Sequence, residues 1–113
     1  MYKRQADGTT IRDFIHVSDL AEIHYMCAKD LIKNNKSKIF NCGYGKGFSV
    51  SDVVTSIKKL SLPMRTKVVA RRAGDPPRLV ANSKKIMQSF SWTPRFSNLD
   101  DIIYSAYQFE KSL

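Results

Sequence analysis

The sequence has 113 residues, 42% hydrophobic and 26% charged, which suits one compact domain with a core and excludes two. Nineteen Lys and Arg against ten Asp and Glu leave a net charge of +9, an excess that suits an anionic partner. No apolar run approaches the roughly 20 residues of a membrane helix, and the polar, basic Met1 to Gln5 is no secretory signal, so a cytoplasmic protein without a membrane partner is expected.

Taken in chain order, strand-like and helix-like segments alternate, which predicts an α/β fold of short strands and helices. Ile11 to Val17 alternates as a strand, with Ile11, Asp13, Ile15 and Val17 on one face and Arg12, Phe14 and His16 on the other. Asp13 is the odd polar residue on an apolar face. A helix follows, capped by Ser18 or Asp19, with Leu20, Ile23, His24, Cys27 and Leu31 at helical spacing and Asn34-Asn35 at its exit. His24 falls on the apolar side and is expected to be packed.

Lys38 to Cys42 reads as a second strand, and Gly43-Tyr44-Gly45-Lys46-Gly47 as a loop. Ser49 caps the next helix, Asp52 completes a capping box, and Val50, Val53, Val54 and Ile57 form its buried stripe. Thr66 to Ala70 reads as a third strand. Arg71 to Arg78 is a loop, because Gly74-Asp75-Pro76-Pro77 sustains neither helix nor strand. Asn82 or Ser83 opens a short helix carrying Ile86, Met87 and Phe90. Trp92 and Pro94 lie in the following turn. Ser97 or Asn98 caps the last helix, with Leu99, Ile102, Ile103 and Ala106 as its stripe.

Several patterns suggest chemistry and resolve to structure. Gly43-x-Gly45-x-Gly47 lies between strand and helix, but its spacing is not G-x-G-x-x-G, so it reads as a turn needing positive φ. Tyr25-x-x-x-Lys29 has the one-turn spacing of a proton-exchanging pair, yet it falls off the apolar stripe and reads as a solvent face. His16 and His24 have no carboxylate or thiol at ligand spacing, so no metal is expected. Cys27 and Cys42 read as reduced, packed thiols. The basic residues run no longer than pairs, as at Lys58-Lys59 and Lys84-Lys85, which is not the dense block of a nucleic-acid tail.

The arginines are the stronger signal. Arg12 projects from a strand, and Arg71-Arg72 opens a loop stiffened by prolines with Asp75 beside it. A guanidinium offers a planar fork of donors matched to phosphate oxygens, so two forks from separate elements suit a diphosphate. A structural Arg–Asp pair, Arg72 with Asp75 or Arg12 with Asp13, is the competing reading.

These segments carry a resemblance. Asp7-Gly8-Thr9-x-x-Arg12-Asp13-Phe14-Ile15-His16-Val17-x-Asp19-Leu20-Ala21, Phe40-Asn41-x-Gly43-x-Gly45-x-Gly47-x-Ser49-Val50, Arg71-Arg72-x-Gly74-Asp75-x-Pro77 and Trp92-x-Pro94 resemble, in order and spacing, stretches of bacterial UDP-glucose 4-epimerases of the extended short-chain dehydrogenase superfamily. The resemblance implies that residues 6–113 are the C-terminal, UDP-sugar-binding part of such an enzyme, with residues 1–5 unassigned. It implies an NAD cofactor held by an N-terminal Rossmann domain not contained in this chain. That domain would carry the catalytic Tyr-x-x-x-Lys, so no catalytic residue is expected here. A homodimer of the whole enzyme is a further implication. Arg12, Asp13 and Phe14 form the first implied UDP-binding segment. Arg72, Ala73, Gly74 and Asp75 form the second, the arginine meeting phosphate and the aspartate ribose. Leu79 departs from members that carry a sugar-contacting tyrosine there. A nucleotide-sugar dehydratase or decarboxylase shares the arginine logic, and a basic nucleic-acid-binding module is the reading from charge alone. Cut off from its partner domain, the segment is expected to expose apolar surface and to pack loosely.

Overall fold

The computed structural model describes residues 7–70 and 72–113, so Met1 to Gln5 and Arg71 lie outside the described residues. Seven elements follow one another: β1 (Ile11–Arg12), α1 (Val17–Asn34), β2 (Phe48–Ser49), α2 (Val50–Lys59), β3 (Arg78–Leu79), α3 (Lys84–Phe90) and α4 (Leu99–Ser112). The α/β alternation expected from the sequence is present.

The strands are shorter than the sequence suggests. β1 stops at Arg12 instead of running to Val17, because Asp13 turns its carboxylate onto backbone amides and His16 already caps α1. The α1 cap is therefore His16, whose Nδ1 accepts from Ser18 N at 3.0 Å, and not Ser18 or Asp19. Lys38–Cys42 and Thr66–Ala70 are not strands. Both are apolar enough to be strands, yet neither finds an edge to pair with among the described residues. Ile39 is 86% exposed and Val68 98% exposed. A strand without a ladder partner leaves its N–H and C=O groups to water.

The three strands form one sheet in the order β2-β1-β3. β1 pairs antiparallel with β2 (Ile11 with Ser49, Arg12 with Phe48) and parallel with β3 (Ile11 with Arg78, Arg12 with Leu79). Ile11 N donates to Pro77 O at 2.9 Å. The proline loop is thus delivered directly beside Arg12. Gly47 lets the chain entering β2 lie against the Ile11 and Val80 side chains, since a Cβ there would overlap Ile11 and come within 2.7 Å of Val80.

Ser49 caps α2 with the expected capping box: Asp52 N donates to Ser49 Oγ at 3.0 Å and Ser49 N to Asp52 Oδ2 at 2.8 Å. The buried residue of α2 is Ser56, whereas Val50 is exposed and Val53, Val54 and Ile57 are only half-buried. Asn98, not Ser97, caps α4, accepting from Asp100 N and Asp101 N. The α4 stripe buries no residue fully: Leu99, Ile102 and Ile103 are half-buried and Ala106 is exposed.

The core is small. Ile23 from α1, Ile86 from α3 and Trp92 are buried, with Ile15, Met26, Cys27, Phe40, Cys42, Tyr44, Met87 and Phe90 packed around them. His24, expected to be packed, is exposed, with its Nδ1 2.8 Å from Leu20 O, and Leu31 is half-exposed. α1 turns its buried line toward Ile23 and Met26, which rotates His24 and Leu31 outward. Among the described residues no helix is long and apolar enough to cross a membrane.

Candidate functional site

The two arginine segments meet. Arg12 lies at the end of β1, and the loop before β3 brings Asp75 to it: Arg12 Nη2 donates to Asp75 Oδ1 at 2.5 Å. Arg12 Nη1 donates to its neighbour's carbonyl, Ile11 O, at 2.7 Å and to Pro76 O at 3.0 Å. Three N–H groups of the fork are thus directed at protein oxygens. A guanidinium carries five, so Nε–H and one Nη2–H have no partner among the described residues. A half-buried arginine held this way is fixed in orientation before any anion arrives, which lowers the entropy cost of binding one.

Arg72 approaches the same carboxylate from the other side, with Nη2 3.6 Å from Asp75 Oδ2 and its side chain 86% exposed. The sequence left open whether Arg12 pairs with Asp13 or Arg72 with Asp75. The structure pairs Arg12 with Asp75 across 63 residues and leaves Arg72 a loose contact. Arg12, Arg72 and Asp75 together are two cations and one anion, so the cluster keeps a net positive charge for an anionic ligand. Ala73 and Gly74 form the exposed turn between them, where Gly74 takes a φ of +81° that few other residues adopt. Phe14, two residues beyond Arg12, is half-buried.

Asp13 is not at this cluster. Its carboxylate accepts from Tyr44 N at 3.0 Å, Gly45 N at 3.0 Å and Ala81 N at 3.2 Å. The glycine loop therefore spends its amides on an internal carboxylate. Gly43 packs against it so closely that a Cβ would lie 2.5 Å from Asp13 Oδ2. Only Gly45 of this loop has positive φ, at +69°, so the expectation of a turn demanding positive φ holds for one glycine of three, and close approach explains the other two. A loop so filled cannot cradle a dinucleotide phosphate.

A second buried cluster was not foreseen from the sequence. Asp19 is fully buried and accepts from Tyr44 Oη at 2.6 Å, from Phe96 N at 3.0 Å and from Arg95 N at 3.2 Å. His16 N donates to Tyr44 Oη at 3.0 Å, and the His16 ring stacks on Phe96 with centroids 4.6 Å apart. Burial, and then the hydrogen bond to Asp19, push the Tyr44 phenol up to about 12. These groups bind α1 to the loop before α4. No short-range pattern signals them, since their partners lie 25 to 77 residues apart. Tyr25 and Lys29 lie on the solvent face as expected, Tyr25 64% exposed with Lys29 Nζ 5.2 Å from its ring centroid.

Comparison with known proteins finds relatives in sequence and in fold. The profile of the NAD dependent epimerase/dehydratase family matches residues 2–43, and so takes in residues 2–5, which the sequence reading left unassigned. UDP-glucose 4-epimerase of Azospirillum brasilense is 44% identical over 108 residues, covering 95% of this chain and 31% of that protein. Among solved structures, the UDP-Glc/GlcNAc 4-epimerase of Campylobacter jejuni superposes with a TM-score of 0.83 at 42% identity, over 98% of this chain and 34% of that one. UDP-glucose 4-epimerase of Bifidobacterium longum, solved with NAD+ and UDP, superposes with a TM-score of 0.77 at 28% identity, over 96% and 32%. In sequence and in fold the chain thus matches UDP-glucose 4-epimerases along nearly its whole length, and it spans about a third of theirs.

Proposed function

We propose that this chain, homologous along its length to a third of UDP-glucose 4-epimerase, is the C-terminal part of such an enzyme and holds the UDP end of its nucleotide sugar. The observation that carries the reading is the convergence of Arg12 and the Arg72–Asp75 turn on one exposed, net-positive cluster. Arg12 directs its two unpartnered N–H groups at the diphosphate. Arg72, free to swing, closes from the other side as a second fork. Asp75 orients Arg12 and accepts a ribose hydroxyl, with Ala73 and Gly74 giving the turn its shape. Phe14 offers an aromatic edge or face in the same segment, and Asp13 holds that segment in place.

The NAD that the family uses supplies hydride transfer at C4 of the sugar. The described residues do not fit it: the amides of the Gly43–Gly47 loop are turned onto Asp13, and Tyr25 is 64% exposed on a solvent face with Lys29 beside its ring. The redox chemistry therefore belongs to the Rossmann domain that we expect as this chain's partner. The exposed apolar residues Ile32, Ile39, Val68 and Val69 give that partner a surface to cover. A homodimer of the whole enzyme rests on the family resemblance, and light scattering of the whole enzyme tests it.

Joining this chain to an NAD-binding epimerase domain and assaying conversion of UDP-galactose to UDP-glucose tests the reading. Arg12→Ala should cut kcat/KM on the order of 10- to 100-fold, the cost of losing charge-assisted hydrogen bonds to phosphate. Full activity in Arg12→Ala would remove Arg12 from the site. A panel of UDP-, GDP- and dTDP-sugars separates the epimerase from a dehydratase or decarboxylase, with UDP-hexoses expected to be preferred. Nucleic-acid binding that weakens steeply with salt would support the charge-based reading instead.

A further inference from the structure

We infer that Asp13 is a positioning residue of the UDP site: it never touches the ligand, and it sets Arg12 opposite Asp75 by clamping the two neighbours of β1. The inference rests on the proposed UDP site and adds to it a residue that acts through others.

The argument begins with how little ladder there is. Each strand of the sheet has two residues, so β1 meets each neighbour over only two residue pairs. A ladder that short specifies its register weakly, and a slip of one residue would turn every side chain to the other face. The position of Asp75 depends on that register. Asp75 lies three residues before Arg78, and Arg78 is the residue that pairs with Ile11. If β3 moved by one residue, Asp75 would no longer stand at Arg12.

Asp13 is the next residue after β1, where the ladder ends. Its carboxylate takes amides from both sides: Tyr44 N and Gly45 N from the loop leading into β2, and Ala81 N from the chain leaving β3. One side chain thus fastens both outer strands to the end of the central one. A carboxylate accepting three amide N–H groups is a strong acceptor, because each bond is charge-assisted. Ser83 repeats the connection without Asp13: its hydroxyl donates to Gly43 O at 2.7 Å, joining the same loop to the start of α3. Gly43 leaves the room, since any Cβ there would strike Asp13 Oδ2 at 2.5 Å and Ala81 Cβ at 2.8 Å.

The direction of the side chain completes the argument. Three of the roughly four acceptor sites of the Asp13 carboxylate are taken by internal amides, Oδ1 by Tyr44 N and Oδ2 by Gly45 N and Ala81 N, so the side chain is turned to the loop and not to Arg12. On this inference its effect on binding passes through the placement of Arg12, Phe14 and Asp75. A ligand contact and a positioning role then differ in a measurable way.

The test titrates UDP and, separately, inorganic diphosphate into the chain joined to an NAD-binding epimerase domain, for wild type, Arg12→Ala, Asp13→Asn, Gly43→Ala and the double variant Arg12→Ala/Asp13→Asn, with each variant's thermal transition recorded beside it. Asp13→Asn should weaken both ligands by the same factor, on the order of tenfold, since both are held by Arg12. In the Arg12→Ala background it should cost little more, because what it positions is gone. Gly43→Ala, which presses on the carboxylate from behind, should reproduce the single Asp13→Asn effect and serves if Asp13→Asn does not fold. Weakening of UDP with diphosphate untouched would make Asp13 a ribose or base contact and overturn the inference. An Asp13→Asn penalty as large without Arg12 as with it would make its role general stability and overturn it as well. The underlying site reading fails separately, if Arg12→Ala binds UDP as wild type does, and the inference falls with it.

Discussion

Tyr44 gives a pH signature at the scale of one residue. Its phenol is pushed up to about 12 in the folded chain by burial and by the bond to Asp19, against an ordinary value of 10. Between those values the unfolded tyrosine has lost its proton and the folded one keeps it. This contribution to stability is therefore complete below pH 10 and declines as pH rises toward 12. The tyrosinate absorbance of Tyr44 should appear only with unfolding. Tyr44→Phe should remove that late step, and a titration unchanged by Tyr44→Phe would contradict the network. The glycines give a second contrast. Gly47→Ala forces a methyl into Ile11 and Val80 and should cost about 1–3 kcal/mol as overpacking. Gly74→Ala meets open space and bears only the strain of positive φ, about 1–2 kcal/mol. Thermal unfolding of the two variants compares them, and a larger loss for Gly74→Ala would argue against the packing around Gly47. At this scale the sequence spoke unevenly. Arg12 and Asp75 stood out as an anion-binding pair of segments, and Asp13 as a misfit on an apolar face. That Asp13 faces the glycine loop, and Arg12 faces Asp75, depends on chain closure over 31 and 63 residues, which no local pattern records.

Helices were more legible than strands, for a physical reason. A helix satisfies its own backbone, so the caps at Ser49 with Asp52 and at Asn98 could be read from neighbours in the sequence. Replacing Asn98 by Ala should cost about 1 kcal/mol and fray the first turn of α4, visible as faster amide exchange at Asp100 and Asp101. A strand needs a partner elsewhere. Thr66–Ala70 has strand chemistry and no partner among the described residues, whereas Phe48–Ser49 and Arg78–Leu79 have little strand signal and pair with β1. α2 and α4 are joined by Asp100, which accepts from Ser56 Oγ and Lys59 Nζ. Lys59, and then Ser56, hold the Asp100 carboxyl below its usual 3.8, so this link is intact above that pH and is lost as the pH falls below it. Asp100→Asn should flatten the acid end of the stability profile in proportion. An unchanged profile would show that the α2–α4 link carries no such dependence.

The whole molecule is extended and poorly covered. Its accessible surface is 8940 Å², whereas a compact chain of 12.9 kDa should expose about 6,300 Å². The excess of about 2,600 Å² is on the scale of one side of a large obligate interface. The radius of gyration, 16.7 Å, exceeds the roughly 13 Å expected for this length. The three apolar residues buried among the described residues are a small core for a chain of 113. The chain alone should bind a hydrophobic dye and unfold over a broad range, and addition of an NAD-binding epimerase domain should suppress the first and sharpen the second. A sharp transition of a monomer that binds no dye would contradict this. The central claim remains the grip on UDP, and one measurement meets it directly: a UDP titration of the isotopically labelled chain joined to an NAD-binding epimerase domain, followed residue by residue. Shifts should gather at Arg12, Phe14 and Arg72 to Asp75 and vanish in Arg12→Ala. Shifts absent there, or gathered instead on Tyr25 and Lys29, would contradict it.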